Sequence, residues 1–380
     1  MTGQVFTNCH LVLPDEVRDA SLAVDSGTIA AIDGPSDLRD AIDCQGDYLI
    51  PGLIELHTDH LESHFKPRPG VIWPVAAAVV AHDAQIAASG ITTVFDALRA
   101  GSERQDATSF SRNVSRLADA VEAVQDQGVL RAEHFLHLRC ELACEDTIET
   151  SEKLLENPRV RLISVMDHTP GQRQFTQMEQ FRSYYLGKTG MSEAELERFI
   201  ARRLEAHHRL AGPNRTHIVA LAKARGIPLA SHDDATPEHV EEAVENGVTI
   251  AEFPTTVEAA ERSRSHAMHV LMGAPNLVRG GSHSGNVSAQ HLAEAGLLDL
   301  LSSDYVPFSL LQAAFELPER VAAIALPEAV AMVTANPAAA AGLADRGEIV
   351  TGKRADLIRV ALVQGLPVVR SVWREGKRVA

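Results

Sequence analysis

Residues 51–60 read PGLIELHTDH, an apolar segment that begins after a Pro-Gly turn and ends in polar side chains. Its composition is typical of a buried strand, and His57 and Asp59 are two residues apart. Because side chains alternate along a strand, both point to the same face. One imidazole and one carboxylate on one face can share a cation, although a solvated strand end is the simpler alternative.

Seven further apolar stretches follow this one along the chain. They are ITTVFDA (91–97), HFLHLRCEL (134–142), LISVMDH (162–168), IPLASHD (227–233), VTIAEFP (248–254), HVLMGAP (269–275) and LLDLLSSDY (297–305). Helical patterns separate the stretches. Eight strands that alternate with helices over about 250 residues predict a (β/α)8 TIM-like barrel, whose site lies at the carboxyl ends of the strands.

Short β-like segments with Pro, Asp and Gly turns occupy both ends of the chain. We expect these ends to form a small β-sandwich domain of residues 1–50 and 346–380, with residues 51–345 forming the barrel domain. A polar stretch with helical spacing separates the fourth and fifth strands. It predicts a long insertion at about 170–215 that acts as a lid or a substrate loop.

The chain has 380 residues, with 35 basic and 51 acidic side chains and a formal net charge of −16. Such acidity disfavours binding to nucleic acid or to anionic membranes, so an anionic substrate needs local cations or metal. The start lacks a secretory pattern, and the four cysteines fit buried thiols, so we expect a cytoplasmic protein. The oligomeric state is open, with a homodimer as one option.

Polar side chains with metal-binding or acid–base capacity end several strands. On the third strand, His137, Arg139 and Glu141 share a face. Glu141 either bridges two cations or forms an ion pair with Arg139. On the fourth strand, alternation with the preceding residues favours an inward His168 over Asp167.

The fifth, sixth and eighth strands continue this pattern. His232 offers a nitrogen ligand, although a simple hydrogen-bonding role is the alternative. Glu252 ends the sixth strand, and Asp304 follows a run that should be buried. A buried carboxylate is costly unless it is ligating, paired or protonated, so Asp304 needs a partner such as a metal.

The segment VRGGSHSGNVS at 278–288 combines glycines with several hydrogen-bond donors, which are the ingredients of an anion cradle. An ordinary Gly/Ser loop is the alternative. Lys66 and Arg68 in the first loop, together with Arg173 and Lys188 in the insertion, add cations that can hold phosphate oxygens.

The Pro-Gly-LIEL-His-x-Asp opening, the His232 and Asp304 strand ends and the closing TANPAAAAGLADRGEIVTGKRADLIRV resemble the amidohydrolase superfamily of metal-dependent barrel hydrolases. Within it, HTDHLESHFKPRPGVIWP, VMDHTPGQRQF, ASHDDAT, AEFPTT, RGGSHSGNVSA and SSDYVP are similar to the phosphonate-metabolism branch linked to the carbon–phosphorus lyase pathway. The resemblance implies a hydrolase of phosphoric anhydride bonds. It would release pyrophosphate from α-D-ribose 1-methylphosphonate 5-triphosphate and leave the 5-phosphate.

The resemblance also implies two divalent cations, with Zn²⁺ expected and Mn²⁺ or Fe²⁺ as alternatives. The predicted metal ligands are His57, Asp59, Glu141, His168, His232 and Asp304. The predicted catalytic residues are Asp304, as proton acceptor, and His283. The predicted substrate-binding residues are Lys66, Arg68, Arg139, Arg173, Glu252, Arg279, Ser282, Ser284 and Asn286.

The chain departs from the usual superfamily pattern in three places. Its first strand carries His-x-Asp in place of His-x-His, no lysine ends the fourth strand, and Glu252 stands where a histidine is common. Two other functions therefore stay open. One is a cyclic amide hydrolase or deacetylase of the same superfamily, and the other is a non-catalytic barrel that acts as a scaffold.

Overall fold

The computed structural model describes residues 3–34, 41–102, 110–173, 178–282 and 285–380. The strands are β1 Gln4–Val12, β2 Val17–Asp25, β3 Thr28–Ile32, β4 Ile42–Asp43, β5 Tyr48–Pro51, β6 Leu53–Thr58, β7 Ile91–Ala100, β8 Glu133–Glu141, β9 Val160–Met166, β10 Leu229–His232, β11 Ile250–Glu252, β12 His269–Gly273, β13 Leu300–Ser302, β14 Leu357–Val363, β15 Leu366–Arg374 and β16 Lys377–Arg378. The helices are α1 Leu61–Phe65, α2 Val75–Ala88, α3 Phe110–Asp126, α4 Thr147–Leu154, α5 Met178–Thr189, α6 Glu193–Arg225, α7 Pro237–Glu245, α8 Val257–Ser265, α9 Ala274–Arg279, α10 Ala289–Glu294, α11 Ser309–Arg320, α12 Leu326–Ala331 and α13 Ala335–Ala340.

Strands β6 to β13 form a parallel sheet in chain order. The sheet curls so that its first and last strands meet: Asp304 donates its N–H to the His57 carbonyl at 3.1 Å, and Asp59 donates its N–H to the Asp304 carbonyl at 3.3 Å. Every residue of β6 is buried, as a strand covered on both faces requires. The predicted (β/α)8 barrel is confirmed, and its closure lies at the residues predicted to bind metal.

The two ends of the chain pair into a second sheet, as predicted. Its strand order is β16-β15-β14-β5-β1-β2-β3, with β4 added beside β1. A core that includes Phe6, Leu49 and Trp373 packs within it, and the rings of Phe6 and Trp373 meet edge to face at 4.9 Å. The domain limits at residues 50 and 346 stay a prediction.

The Pro-Gly step connects the two sheets at Gly52. A Cβ atom on Gly52 would lie 2.2 Å from the Thr92 hydroxyl, so only glycine allows β6 to approach β7 this closely. Gly52 donates its N–H to the Asp356 carbonyl at 2.8 Å, while Leu53 donates to Gly90. The turn is therefore shared between the terminal sheet and the first barrel strand.

The predicted insertion between the fourth and fifth barrel strands contains α5 and α6. Helix α6 begins with a capping box, in which Ser192 and Glu195 bond each other's backbone N–H, and it ends at Gly226 in the left-handed conformation. Arg203, buried on α6, reaches back to β8. The insertion thus contributes a side chain to the barrel's polar centre.

Among the described residues, no helix is both long enough and apolar enough to cross a membrane. The cysteines Cys9, Cys44, Cys140 and Cys144 are buried free thiols, as predicted.

Candidate metal centre

Three imidazoles and one carboxylate fill the upper interior of the barrel. Glu252 lies between two of the histidines: its oxygens are 3.1 Å from Nδ1 of His57 and 3.2 Å from Nδ1 of His232. Nε2 of His137 is 3.8 Å from the same carboxylate. The rings of His57 and His232 stack at 5.6 Å. Strands β6, β8, β10 and β11 therefore bring together groups that lie far apart in sequence.

Burial keeps these imidazoles neutral. It lowers the pKa of His137 and of His232 to about 3, and it holds the pKa of His57 well below its ordinary value, with Arg139 adding to the effect. His137 donates its Nδ1 proton to the Leu56 carbonyl at 3.0 Å, so Nε2 carries the lone pair, and the Ser164 hydroxyl lies 3.0 Å from it. Neutral imidazoles are the form that binds metal.

A second group of ligand atoms lies beside the first. It consists of His168, His232 and Asp233. The Asp233 carboxylate is 3.5 Å from Nε2 of His232 and 3.9 Å from Nε2 of His168. Its Oδ2 is buried without a hydrogen-bond partner among the described residues, and burial raises the pKa of Asp233 to about 7.

Asp59 and Asp304 lie at the rim where the barrel closes. Burial, and next the nearby charge of Asp59, raise the pKa of Asp304 to about 7. Arg139 is the nearby cation, and its guanidinium lies 3.9 Å from Asp59. Carboxylates thus crowd together around neutral imidazoles, with little positive charge to balance them.

This donor set fits divalent cations. The carboxylates of Asp233 and Glu252 are buried, and that of Asp304 is half-buried; as anions they are costly unless a positive charge compensates them. The orphaned oxygen of Asp233 faces imidazole nitrogens, and mixed nitrogen and oxygen ligands suit zinc. The arrangement can bind cations and, through them, acidify water or polarise a substrate oxygen.

Glu141 has a more cationic environment. Its two oxygens accept hydrogen bonds from Arg99 and Arg203 at 2.9 Å each, and one oxygen also bonds Nδ1 of His168 at 2.6 Å. Burial raises the pKa of Glu141, but His168 and the arginines outweigh burial and hold the pKa well below its usual range. The ion pair with Arg139 that the sequence suggested is replaced by pairs with these other arginines. The predicted bridging role of Glu141 stays a prediction.

Three of the barrel strands are followed by a residue with left-handed backbone. Asp233, Phe253 and Asp304 have φ of 56°, 54° and 52°. Non-glycine residues rarely adopt this conformation, and such residues concentrate at functional sites. Here the turn directs the chain across the barrel mouth immediately after the buried strand.

Comparison with known proteins is consistent with this geometry. A model of the amidohydrolase family matches residues 48–379. The chain belongs to that family. It is 51% identical over 377 residues to the alpha-D-ribose 1-methylphosphonate 5-triphosphate diphosphatase of Escherichia coli (strain K12), with 99% of this chain and 100% of the relative covered.

Solved amidohydrolase-like structures share the fold at low identity. The A. niger ochratoxinase has a TM-score of 0.66 at 15% identity, with 99% of this chain and 95% of that chain covered. The N-acetylglucosamine-6-phosphate deacetylase from Pasteurella multocida has a TM-score of 0.63 at 15% identity, with 99% of each chain covered. These likenesses concern the fold alone.

In this amidohydrolase, the predicted substrate-binding residues occupy different environments. Arg139 is nearly buried beside Asp59, and Glu252 is fully buried between two imidazoles. Arg173 is buried in ion pairs with Asp234 and Glu242. Lys66 is half-buried, Arg68 and Arg279 are exposed, and Ser282 and Asn286 are half-buried. His283 and Ser284 lie outside the described residues, as does the side chain of Lys188.

Arg173 also lines a polar cleft of about 410 Å³ beside the metal centre. The other lining residues are Asp167, Gln172, His207, His208, Ala211, Gly212, Arg215, Glu238, His239 and Glu242. Asp167 turns away from the centre and bonds His207 of α6 at 2.6 Å, whereas His168 faces Glu141 and Asp233. The cleft is therefore adjacent to His168, a predicted ligand.

Sequence reasoning did not assign several residues of the centre. Glu55, on the same face of β6 as His57, accepts N–H groups of His57 and Ser303, and burial raises its pKa to about 8. The shared face of β8 was the available signal for His137. Arg99 and Arg203 had no such signal, because their proximity to Glu141 depends on tertiary packing.

Proposed function

We propose that the chain is a metal-dependent diphosphatase that acts on α-D-ribose 1-methylphosphonate 5-triphosphate, releasing pyrophosphate and leaving the 5-phosphate. The observation that carries this proposal is the 51% identity to the E. coli diphosphatase over the whole of that relative. Similarity at this level, over 99% of this chain and 100% of the relative, supports a shared reaction. The polar centre of the barrel supplies the residues that the reaction needs.

Two divalent cations, with Zn²⁺ as the best match, would bind at the two groups of ligand atoms. One group is His57, His137 and Glu252, and the other is His168, His232 and Asp233. Three ligands predicted from the sequence, Asp59, Glu141 and Asp304, are not members of these two groups. Asp59 and Asp304 lie beside the groups at the rim, and the metal-binding role of all three stays a prediction. When bound, such cations supply Lewis acidity and lower the pKa of water toward neutrality.

The chain's own residues would orient the substrate and move the proton. Asp304 is the proposed proton acceptor, because the strand-like bridge to β6 holds its backbone against His57. Arg139 would stabilise negative charge that builds up on phosphoryl oxygens, since it is the nearly buried cation beside Asp59. Glu141, with Arg99 and Arg203, would hold His168 in place.

The net charge of −16 is compatible with a polyanionic substrate because the acidity is unevenly distributed. Buried carboxylates at the centre would be offset by bound cations. Lys66 and Arg68 follow α1 in the first loop, and Arg173, paired with Asp234 and Glu242, lines the neighbouring cleft. Local charge of this kind attracts phosphate despite an acidic surface.

The proposal is tested by assaying the purified protein after chelator treatment and after reloading with Zn²⁺, Mn²⁺ or Fe²⁺. We expect pyrophosphate and the 5-phosphate to form only with the reloaded protein, and ATP to turn over more slowly at equal concentration. Release of an amine or acid from a cyclic amide or an N-acetyl sugar, without pyrophosphate from the triphosphate, would favour the other superfamily function. Absence of turnover with every metal would favour the scaffold.

A further inference from the structure

A second cluster of histidines lies outside the barrel, between β7 and the helices α1 and α2. His60 is the N-terminal cap of α1, His64 lies one turn later, and His82 projects from α2. Their ring centroids are 5.0 Å (His60–His64), 5.7 Å (His64–His82) and 6.0 Å (His60–His82) apart. Three imidazoles that bind one tetrahedral Zn²⁺ through nitrogens at about 2 Å have centroids roughly 5 Å apart.

Each ring has an oxygen neighbour that defines which nitrogen carries the proton. Asp96 accepts from Nε2 of His82 at 2.7 Å, and the Gln85 side-chain oxygen accepts from Nε2 of His64 at 3.2 Å. The Ser63 hydroxyl, which donates its own proton to the His60 carbonyl, lies 3.5 Å from Nδ1 of His60. Each imidazole therefore keeps one nitrogen with a lone pair for another ligand.

Two of these remaining nitrogens are buried without a partner. Nδ1 of His82 and Nε2 of His60 have no hydrogen-bond partner among the described residues. His82 is fully buried, so its orphaned nitrogen has no compensating water at the surface. Buried polar atoms in native proteins are nearly always satisfied, so two such nitrogens in one histidine cluster call for a common partner such as an ion or a bound water.

The role that we assign to Asp96 is to orient the ligand His82, and not to bind the metal itself. It accepts hydrogen bonds of 2.7 Å from both His82 and His134, and Asp83 lies 3.4 Å from the other nitrogen of His134. Burial lowers the pKa of His134, but the two carboxylates outweigh burial and raise it to about 9. A carboxylate behind a histidine is the usual outer contact of a metal-bound imidazole, and Asp96 holds that position behind His82.

We propose that His60, His64 and His82 bind one divalent transition-metal ion, with Zn²⁺ the best match, at a site separate from the barrel centre. The sequence His-x-x-x-His on one face of a short helix is the spacing that places two imidazoles on a common ion. Three protein nitrogens leave the fourth position of a tetrahedral ion open. Because His60 and His64 are half-buried, the ion can reach the site from solvent.

The ion would connect α1 to α2 directly after the barrel's Asp59. Helix α1 is only five residues long and its cap makes no side-chain hydrogen bond, so it has little local stabilisation of its own. Binding at the histidines would order the first loop, including Lys66 and Arg68. The site itself does not depend on which reaction the barrel catalyses.

The first test uses the unmodified protein, with diethyl pyrocarbonate as a histidine-selective reagent and mass spectrometry to locate the products. We expect the modification rate of His64 to fall at least tenfold when Zn²⁺ is added to chelator-treated protein. His217, an exposed histidine on α6 that bonds Glu152, serves as the control in the same sample and should not change. An unchanged rate at His64 would overturn the proposal.

The second test counts zinc per folded chain in His64→Gln and in the matched control His217→Gln, after saturation with Zn²⁺ and removal of excess ion. We expect His64→Gln to bind one ion fewer than the wild type and His217→Gln to bind the same number. Equal counts in all three proteins would refute the site. His57→Ala tests the barrel centre separately: an unchanged zinc count in that variant would contradict the proposed function and leave the site at His60, His64 and His82 standing.

Discussion

The barrel centre and the cluster around Asp96 contain the same kinds of side chain but balance charge differently. At the centre, Glu252 lies between two histidines whose pKa values burial lowers, and Asp233 and Asp304 have pKa values raised to about 7. Around Asp96, one histidine is instead protonated, because two carboxylates raise the pKa of His134 to about 9.

The difference shows what decides whether a buried histidine is a cation or a ligand. At the centre, burial disfavours positive charge on the imidazoles, and Arg139 adds to that effect. Around Asp96 and Asp83, the nearby cation among the described residues is Arg131, which is partly exposed and therefore opposes a charge on His134 only weakly. The centre therefore has neutral nitrogens and excess carboxylate, which suit cations, while the His134–Asp96 pair is already compensated.

The largest effect should come from Asp304→Asn. Removing the proposed proton acceptor should lower kcat by about 10²–10⁴-fold, the usual contribution of a positioned general base. Turnover should be measured at equal metal content per chain, with Asp126→Asn on the exposed end of α3 as the control. Full turnover of a metal-loaded Asp304→Asn protein would exclude this role.

Asp96→Asn should destabilise the fold by about 3 kcal/mol, because it leaves the His134 cation buried with weaker compensation. Urea unfolding measures this change in the free energy of unfolding. Asp126→Asn, which breaks an exposed pair with Arg159, should change it by less than about 0.5 kcal/mol. If both substitutions had the same small effect, His134 would not be a buried cation.

Glu252→Gln should weaken cation binding at the centre by at least about 10–100-fold, the loss typical of removing an outer carboxylate partner, because Glu252 is itself a proposed ligand. Calorimetric titration of chelator-treated protein with Zn²⁺ measures it. Glu241→Gln, an exposed carboxylate paired with Arg262, is the matched control and should bind as the wild type does. Unchanged affinity in Glu252→Gln would place the cations elsewhere.

The smallest effect on stability should come from replacing Glu133, a carboxylate whose negative charge two arginines balance. Glu133 bonds Arg346 at 2.5 Å and Arg354 at 2.7 Å, and although burial raises its pKa, these arginines outweigh burial and lower it. A lowered pKa in the folded state gives stability above the unfolded pKa of about 4.5, and this stability is lost as pH falls through the folded value. Glu133→Gln should therefore cost about 1 kcal/mol at pH 7.

Thermal unfolding across pH measures this dependence. The difference between wild type and Glu133→Gln should narrow as pH falls below about 4.5, since the wild-type carboxyl then becomes protonated and loses its ion pairs. A difference that stayed constant down to the acid transition would show that packing, rather than charge, connects β8 to the terminal sheet.

The barrel strands were predictable because they are short apolar runs with polar ends. The six predicted metal ligands all end barrel strands or follow them, so a parallel sheet brings them to one edge. The partners of Glu141 were not predictable, because Arg203 comes from α6 and reaches β8 only through tertiary packing. The same holds for Asp96 and His82, whose contact joins a strand to a helix in the outer layer.

The reaction itself is tested most directly by phosphorus NMR of turnover in oxygen-18 water. We predict the 5-phosphate and pyrophosphate as products, with one oxygen-18 atom on phosphorus in one of the two. Orthophosphate with a remaining 5-diphosphate, or the predicted products without oxygen-18, would contradict hydrolysis of the phosphoric anhydride at this centre.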